Sequence, residues 1–443
     1  MTKNRSILGE LAKNQLINRF RNKKHDGDDR VSVATLSRIA PNDTIPESYC
    51  RFDKYAAYEN MLISKTAADR FGITNPFFKV HDGIAGPTTT ITGQTYINFS
   101  SYNYLGLSDH PDVIEAAKQA IDQYGTSVSA SRLVAGERPI HRSLENALAS
   151  LYGVEDCLTF VSGHATNVST IGYLFGPKDL IIHDSLIHNS VLEGIKLSGS
   201  ARRSFPHNNL PALEAILAEI RHQFERVLVV VEGHYSMDGD IADLPELIQI
   251  KKRHKAFLMV DEAHSLGVLG KTGKGLHEHC HLPGSEVDIW MGTLSKTLVG
   301  CGGYIAGSHA LVEHLKYAAP GFVYSVGMPP ALAAASLTAL HILENESNRV
   351  ETLHQQTTLF LTLAQNARLD TGESEGYAIV PIIIGSSLKA TKISGQLFDQ
   401  GINVQPIIYP AVEESAARLR FFISSQHTKE HIEQTIAALK ELL

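Results

Sequence analysis

The sequence predicts an α/β architecture: a large, mostly parallel sheet with helices on both faces, followed by a smaller α+β C-terminal domain. Three observations carry the prediction. From about Tyr96 onward, short apolar runs alternate with segments of helical periodicity. The 443 residues exceed one typical domain. Polar residues fit for chemistry stand just past the carboxyl ends of the apolar runs, where open α/β sheets collect their ligands.

Taken in order, residues 7–20 place Ile7, Leu8, Leu11, Leu16, Ile17 and Phe20 at helical spacing, and the charged stretch 21–30 reads as a solvated linker. Residues 1–55 are therefore expected as an appendage, and residues 56–105 as a segment packing on the smaller domain and at a dimer interface. The large domain is expected over 106–335. It opens with helical periodicity at 111–124 and 141–152. Strand-like runs follow at 157–161, 180–183, 226–232, 256–261 and 288–292, with a short return strand at 304–306. Helices at 210–224 and 244–254 separate several of them. A long apolar helix at 330–343 reads as buried or as a spine between domains. The smaller domain, 336–443, adds a polar helix, strands at 378–384, 402–408 and 418–424, and a terminal helix from Thr428.

Composition narrows the function classes. Hydrophobic residues make up 43% and charged residues 20%, as in ordinary globular proteins. A net charge of -7 argues against bulk nucleic-acid binding. The four cysteines form no CxxC pair, which fits a reducing cytosol better than a disulfide framework. No run approaches the roughly 18 apolar residues of a membrane span, and no secretory h-region is seen. A soluble cytoplasmic protein without nucleic-acid partner or metal is expected.

Two residues dominate the chemistry. Asp261 closes an apolar strand, where an unpaired carboxylate is costly to bury. Lys296 follows in Gly292-Thr-Leu-Ser-Lys296, among small and hydroxylated residues. The pairing suits pyridoxal 5'-phosphate (PLP): the lysine forms a Schiff base with the cofactor aldehyde, and the acid keeps the pyridine nitrogen protonated. His264, on the first turn after the strand, is either within reach of the cofactor's phenolic oxygen or a structural histidine, and His188 either stacks on the ring or is a satisfied loop histidine. Ser162-Gly163-His164 before a helix offers backbone N–H groups to a phosphate. Glu232 and Ser236 follow another strand end. Two look-alike motifs are rejected. Asp261-Glu-Ala-His264 spells a helicase box, but the chain lacks the phosphate-binding loop that must accompany it. His277-Glu-His-Cys-His281 has zinc-protease spacing, yet Pro283-Gly284 ends any helix at once.

From about Asn98 to Leu443 the chain resembles the α-oxoamine synthases, PLP enzymes of the fold-type-I aminotransferase superfamily. The resemblance rests on Ser101-Tyr-Asn-Tyr-Leu-Gly-Leu107, Ser131-Arg132, Gly136 to Glu145 with His141, Glu232-Gly-His-Tyr-Ser-Met-Asp-Gly-Asp240, Asp261 to Gly270, Gly292 to Gly307, Arg418-Leu-Arg-Phe, and Ser425-Gln-His427. It implies that Lys296 is the covalent anchor and later the base, that Asp261 pairs with the ring nitrogen, and that His264 and His188 contact the ring. Thr293 and the Gly163-His164 backbone would hold the phosphate, and Ser325 would reach the neighbouring subunit's phosphate. Ser236 would lie near the cofactor oxygen, and Glu232 would shape the substrate side. Arg420 would bind the amino-acid carboxylate with help from Asn103; Arg418, two residues away, is set aside only by the family match.

The implied reaction is a decarboxylative Claisen-type condensation of glycine, alanine or serine with an acyl thioester, in a homodimer. Another fold-type-I activity, transamination or carbon–carbon cleavage, is the alternative. The chain departs from the family in two places, carrying Val299 where members commonly have Gly, and His164 where they have an aromatic residue. His164-Ala-Thr-Asn and Ser129-Ala-Ser131 look like members tied to carrier-protein pathways, which makes an acyl carrier protein an alternative donor to coenzyme A.

Overall fold

The computed structural model describes residues 44–70, 72 and 74–443; the helix expected at 7–20 and the linker at 21–30 lie outside them. The chain divides into two compact units, Met1–Gly72 and Ile73–Leu443. Within the first, two short 3-10 turns (Glu47–Tyr49 and Phe52–Lys54) precede a helix, Ala56–Arg70. Arg51 pairs with Glu47 and Asp53 there. Those groups are solvent-exposed, so the pairs contribute little to stability.

The second unit holds three sheets. The first is built from β1 (His81–Asp82), β2 (Thr88–Ile91) and β3 (Gln94–Asn98). The large sheet comprises β4 (Asp156–Phe160), β5 (Leu180–Asp184), β6 (Ala201–Phe205), β7 (Val227–Glu232), β8 (Phe257–Asp261), β9 (Ile289–Thr293) and β10 (Gly303–Gly307). Its order is β4-β10-β9-β8-β7-β5-β6, parallel except for β10. Every residue of β4, β5 and β7 is buried, because helices cover both faces of a parallel sheet and leave no solvated side to alternate with. The C-terminal domain contributes β11 (Ile379–Ile383), β12 (Ile402–Asn403), β13 (Gln405–Ile407) and β14 (Arg418–Phe422).

Local signals set the helix ends. The helix Leu244–His254 starts on Asp243, whose side chain accepts the Glu246 N–H, and ends in Lys251, Lys252, Arg253 and His254, which complement its negative pole. Helix Pro139–Tyr152 begins with proline in its first turn and stops on left-handed Gly153. The apolar helix Pro330–Asn345 packs against helices Pro111–Tyr124 and Pro139–Tyr152 and is largely buried.

Several expectations need correction. The run at 402–408 is not one strand: Ile402–Asn403 pairs in parallel with β3, whereas Gln405–Ile407 pairs with β14 in another sheet. The chain changes sheets at Val404, and the Asn403 amide bonds to Asn98 on the neighbouring strand. The expected helix 210–224 ends at Ile220 and finishes in a 3-10 turn. β6 escaped sequence reading because it is an edge strand with Arg202 and Arg203 exposed. Helix Ser387–Asp399, capped by Ser386, was not anticipated either. Among the described residues no helix is long and apolar enough to cross a membrane.

Candidate active site

Five parallel strands of the large sheet, β4, β5, β7, β8 and β9, deliver the chemistry-bearing residues to one edge. Gly163 and His164 open the helix after β4, His188 caps the helix after β5, and Glu232 ends β7. Asp261 ends β8, and Lys296 lies three residues past β9. Together with Ser236, His264 and Thr293 they line one cavity. A second cavity of about 420 Å³ adjoins it and is also lined by Lys296, here with Tyr102, Asn103 and Val299. A larger cavity of about 700 Å³ lies at the opposite, amino-terminal ends of the strands. Its charged walls are already engaged, Arg226 with Asp179 and Asp288 with Lys251, so the chemistry is not there.

Asp261 is buried and accepts hydrogen bonds from Asn167 Nδ2 (2.9 Å) and the Ala263 N–H (3.0 Å), both neutral donors. Asn167 Nδ2 also donates to Ser190 Oγ (2.9 Å), which lies 2.7 Å from His188 Nδ1. A relay of neutral side chains thus orients the carboxylate and the imidazole toward the same space. Across the β7–β8 ladder Glu232 stands directly beside Asp261. Burial and the neighbouring Asp261 charge push the Glu232 carboxyl up to about 8. Its Oε2 accepts the Ser236 N–H at 3.0 Å, and Oε1 is buried with no partner.

Burial also lowers the Lys296 ammonium to about 8; Asp261 and Glu232 oppose the shift and Arg420 adds to it. Lys296 Nζ lies 5.6 Å from the centroid of the Tyr102 ring. His264 is held by Tyr104, whose hydroxyl is 2.7 Å from Nδ1, and stacks at 8° on Phe422. Burial, then Lys296 and Arg420, keep this imidazole neutral.

The two arginines of β14 differ sharply. Arg418 is buried and paired with Asp238, and it also donates to the Met237 and Ala416 carbonyls. Arg420 has no carboxylate among its contacts: it donates to the Ser236 carbonyl (2.8 Å), lies over Phe422, and leaves Nε buried without an acceptor. Geometry therefore separates what the sequence could not. Arg420 is the guanidinium able to receive an anion.

Other expected residues are placed differently. Asn103 lines the second cavity, but its amide is fully engaged: Nδ2 donates to Ala85 O and Ser108 Oγ, and Oδ1 accepts from the Leu107 and Ser108 N–H groups. It braces the loop and has no hydrogen-bonding capacity left for a carboxylate. Ser325 faces a separate small cavity beside Arg132 and is not brought to Lys296 of its own chain. His277 and His281 make no metal centre, since the helix there spans only Leu276–His279 and Glu278 is used by Thr272 and Lys274. Among the described residues no cluster could hold a metal. Sequence reasoning missed Asn167, Ser190, Tyr102 and Tyr104. The signal for Asn167 was its position one helical turn beyond Gly163, on a helix aimed at the site.

The residues fit PLP. A buried carboxylate served only by neutral donors suits a pyridinium N–H, and a half-buried lysine stands in the same cavity. Gly163 leaves the space a phosphate seat needs: a Cβ there would come within 2.9 Å of Thr293 Oγ1. The helix Gly163–Leu174 points its N-terminus at that space.

Comparison with known proteins agrees. The model of the aminotransferase class I and II family matches residues 94–439. The chain is 36% identical over 360 residues to 8-amino-7-oxononanoate synthase 1 of Bacillus subtilis, covering 81% of this chain and 91% of that one. It is 37% identical over 358 residues to the 8-amino-7-oxononanoate synthase of Thermoanaerobacter pseudethanolicus, covering 81% and 90%. Among solved structures, the serine palmitoyltransferase of Sphingomonas wittichii superposes with a TM-score of 0.83 at 29% identity, covering 87% of this chain and 97% of that one. The chain belongs to the aminotransferase class I and II family and, within it, is a PLP-dependent α-oxoamine synthase, an acyltransferase that condenses an amino acid with an acyl thioester and releases carbon dioxide.

Proposed function

We propose that Lys296 anchors PLP and then serves as the base, while Arg420 holds the carboxylate of glycine, alanine or serine. The observation that carries this reading is that Lys296 lines both cavities. One is furnished for the cofactor, and the other leaves room for a second reactant beside the same amine. When bound, the cofactor supplies an electron sink for the substrate's α-carbon. Asp261 holds the proton on the ring nitrogen, His188 packs on the ring, and neutral His264 meets the ring oxygen, with Ser236 nearby. The N–H groups at Gly163 and His164 and the Thr293 hydroxyl hold the phosphate, and Ser325 reaches the phosphate of a second copy in a homodimer. An amine near 8 is free enough to take the α-proton close to neutrality. Glu232, neutral at that pH, presents a carboxylic acid to the substrate side and adds no second negative charge next to Asp261.

The product is an α-aminoketone, with carbon dioxide and a free thiol released in the cytoplasm. Coenzyme A and an acyl carrier protein are the two candidate carriers of the acyl group, the latter supported by the His164-Ala-Thr-Asn and Ser129-Ala-Ser131 segments. The test supplies each amino acid with acyl-coenzyme A or acyl carrier protein and measures thiol and carbon dioxide together. Thiol without carbon dioxide would refute condensation. Lys296→Ala should abolish both the yellow absorbance and borohydride trapping of the cofactor, and persistence of either overturns the role of Lys296.

A further inference from the structure

Val299 adopts φ +43, in the left-handed region that β-branched residues avoid because the branched side chain crowds the following carbonyl. The other β-branched residue there among those described, Thr92, sits with Gly93 in the tight turn between β2 and β3, where the hairpin itself demands positive φ. Val299 lies in the long connection between antiparallel β9 and β10, residues 294–302, and not in a tight two-residue turn whose geometry demands positive φ. It closes the turn after the lysine, its N–H donating to the Lys296 carbonyl at 3.0 Å, and glycine would fit this backbone without strain. Its side chain packs partly on the main core and lines the second cavity, the one that shares Lys296 with the cofactor side. A strained residue at a cavity wall, kept where glycine would be easier, marks a side chain wanted for what it does there.

We propose that Val299 is a specificity-determining residue: its isopropyl group limits the bulk that the acyl donor can carry next to its thioester carbonyl. The inference rests on the reading that Lys296 is the reacting lysine and that the second cavity receives the acyl group. Tyr102 and the engaged Asn103, on the loop before Leu107, line the same cavity. The donor class is a thioester unbranched at its α-carbon.

The test uses the PLP-loaded full chain and the variants Val299→Ala and Val299→Gly. Hexanoyl and 2-methylhexanoyl thioesters of pantetheine are offered, pantetheine being the arm common to coenzyme A and carrier proteins. The ratio of kcat/KM for the branched over the straight donor should rise about tenfold in Val299→Ala and further in Val299→Gly, the scale expected when a pocket gains the space of two or three carbon atoms. Amino-acid affinity, read from the cofactor spectrum, should stay within about threefold of the original, since substrate discrimination changes only where pocket contacts change. Equal ratios in all three proteins overturn the inference while leaving the condensing function intact. A change confined to Val299→Gly also overturns it, because backbone freedom and not side-chain volume would then be responsible. If no protein releases thiol from any donor and amino acid, the functional reading itself fails and takes the inference with it.

Discussion

Replacing Glu232 by glutamine isolates the most unusual proton in the site. Glu232 is buried, stands beside Asp261 in the β7–β8 ladder, and has its carboxyl pushed up to about 8 by burial first and the Asp261 charge second. Its folded-state value lies above the ordinary carboxylate value of 4.5, so its stabilising contribution is complete below 4.5 and disappears as pH rises through about 8. At pH 6 the native group is protonated while the unfolded one is ionised; by pH 9 both are ionised. The difference amounts to roughly 2.5–3 kcal/mol of stability lost between those two pH values. Glutamine keeps an acceptor for the Ser236 N–H and cannot ionise. On protein stripped of PLP, urea denaturation from pH 6 to pH 9 should show Glu232→Gln gaining that amount relative to the chain that keeps Glu232. Titrating groups away from the site are common to both proteins and cancel; Lys296, whose ammonium Glu232 supports, is taken out of the comparison by making both measurements in a Lys296→Ala background. A stability difference that stays constant across the range would mean that Glu232 is already ionised at pH 6, and the reasoning would fail.

Arg420→Ala should weaken amino-acid binding at least about tenfold with PLP affinity nearly unchanged, as expected for loss of a charge-assisted carboxylate contact. Arg418→Ala, by contrast, removes the buried partner of half-buried Asp238 and should lower stability by about 3 kcal/mol, measured by denaturant midpoint. Equal phenotypes for the two variants would refute their separation. Gly163→Ala places a methyl group within 2.9 Å of Thr293 Oγ1 and should raise the PLP dissociation constant, followed by titration of the stripped protein, with little change in fold by circular dichroism. His207 bridges Asp184 (2.9 Å) and Asp240 (2.8 Å), which overcome its desolvation and raise it to about 10. Its contribution is therefore complete below 6.5 and lost as pH rises through about 10. His207→Gln should cost about 3 kcal/mol near neutrality, with the deficit shrinking as pH approaches 10; a pH-independent deficit would contradict the charged bridge.

Legibility in the sequence followed the strength of local constraint. β7 and β8 were visible because strands buried on both faces must be continuously apolar, and helix Leu244–His254 because its cap and charged end announce it. β6 was hidden because an edge strand carries exposed arginines, which have no strand signature of their own. The split at Val404 was hidden for a different reason. An apolar run looks the same whether it serves one sheet or two, and only the partners, β3 and β14, decide.

The same division holds in the site. By itself the sequence determined the cofactor chemistry, because a carboxylate closing an apolar strand and a lysine among small residues are costly unless a ligand pairs with both, and that cost is local. Tertiary structure alone decided which arginine is spare, that Asn103 is occupied by Ala85 and Ser108, and that Asn167 and Ser190 link Asp261 to His188. Those facts depend on hydrogen-bond partners far apart in the chain, such as Arg418 and Asp238, and a donor's residue type does not reveal which acceptor it has already taken.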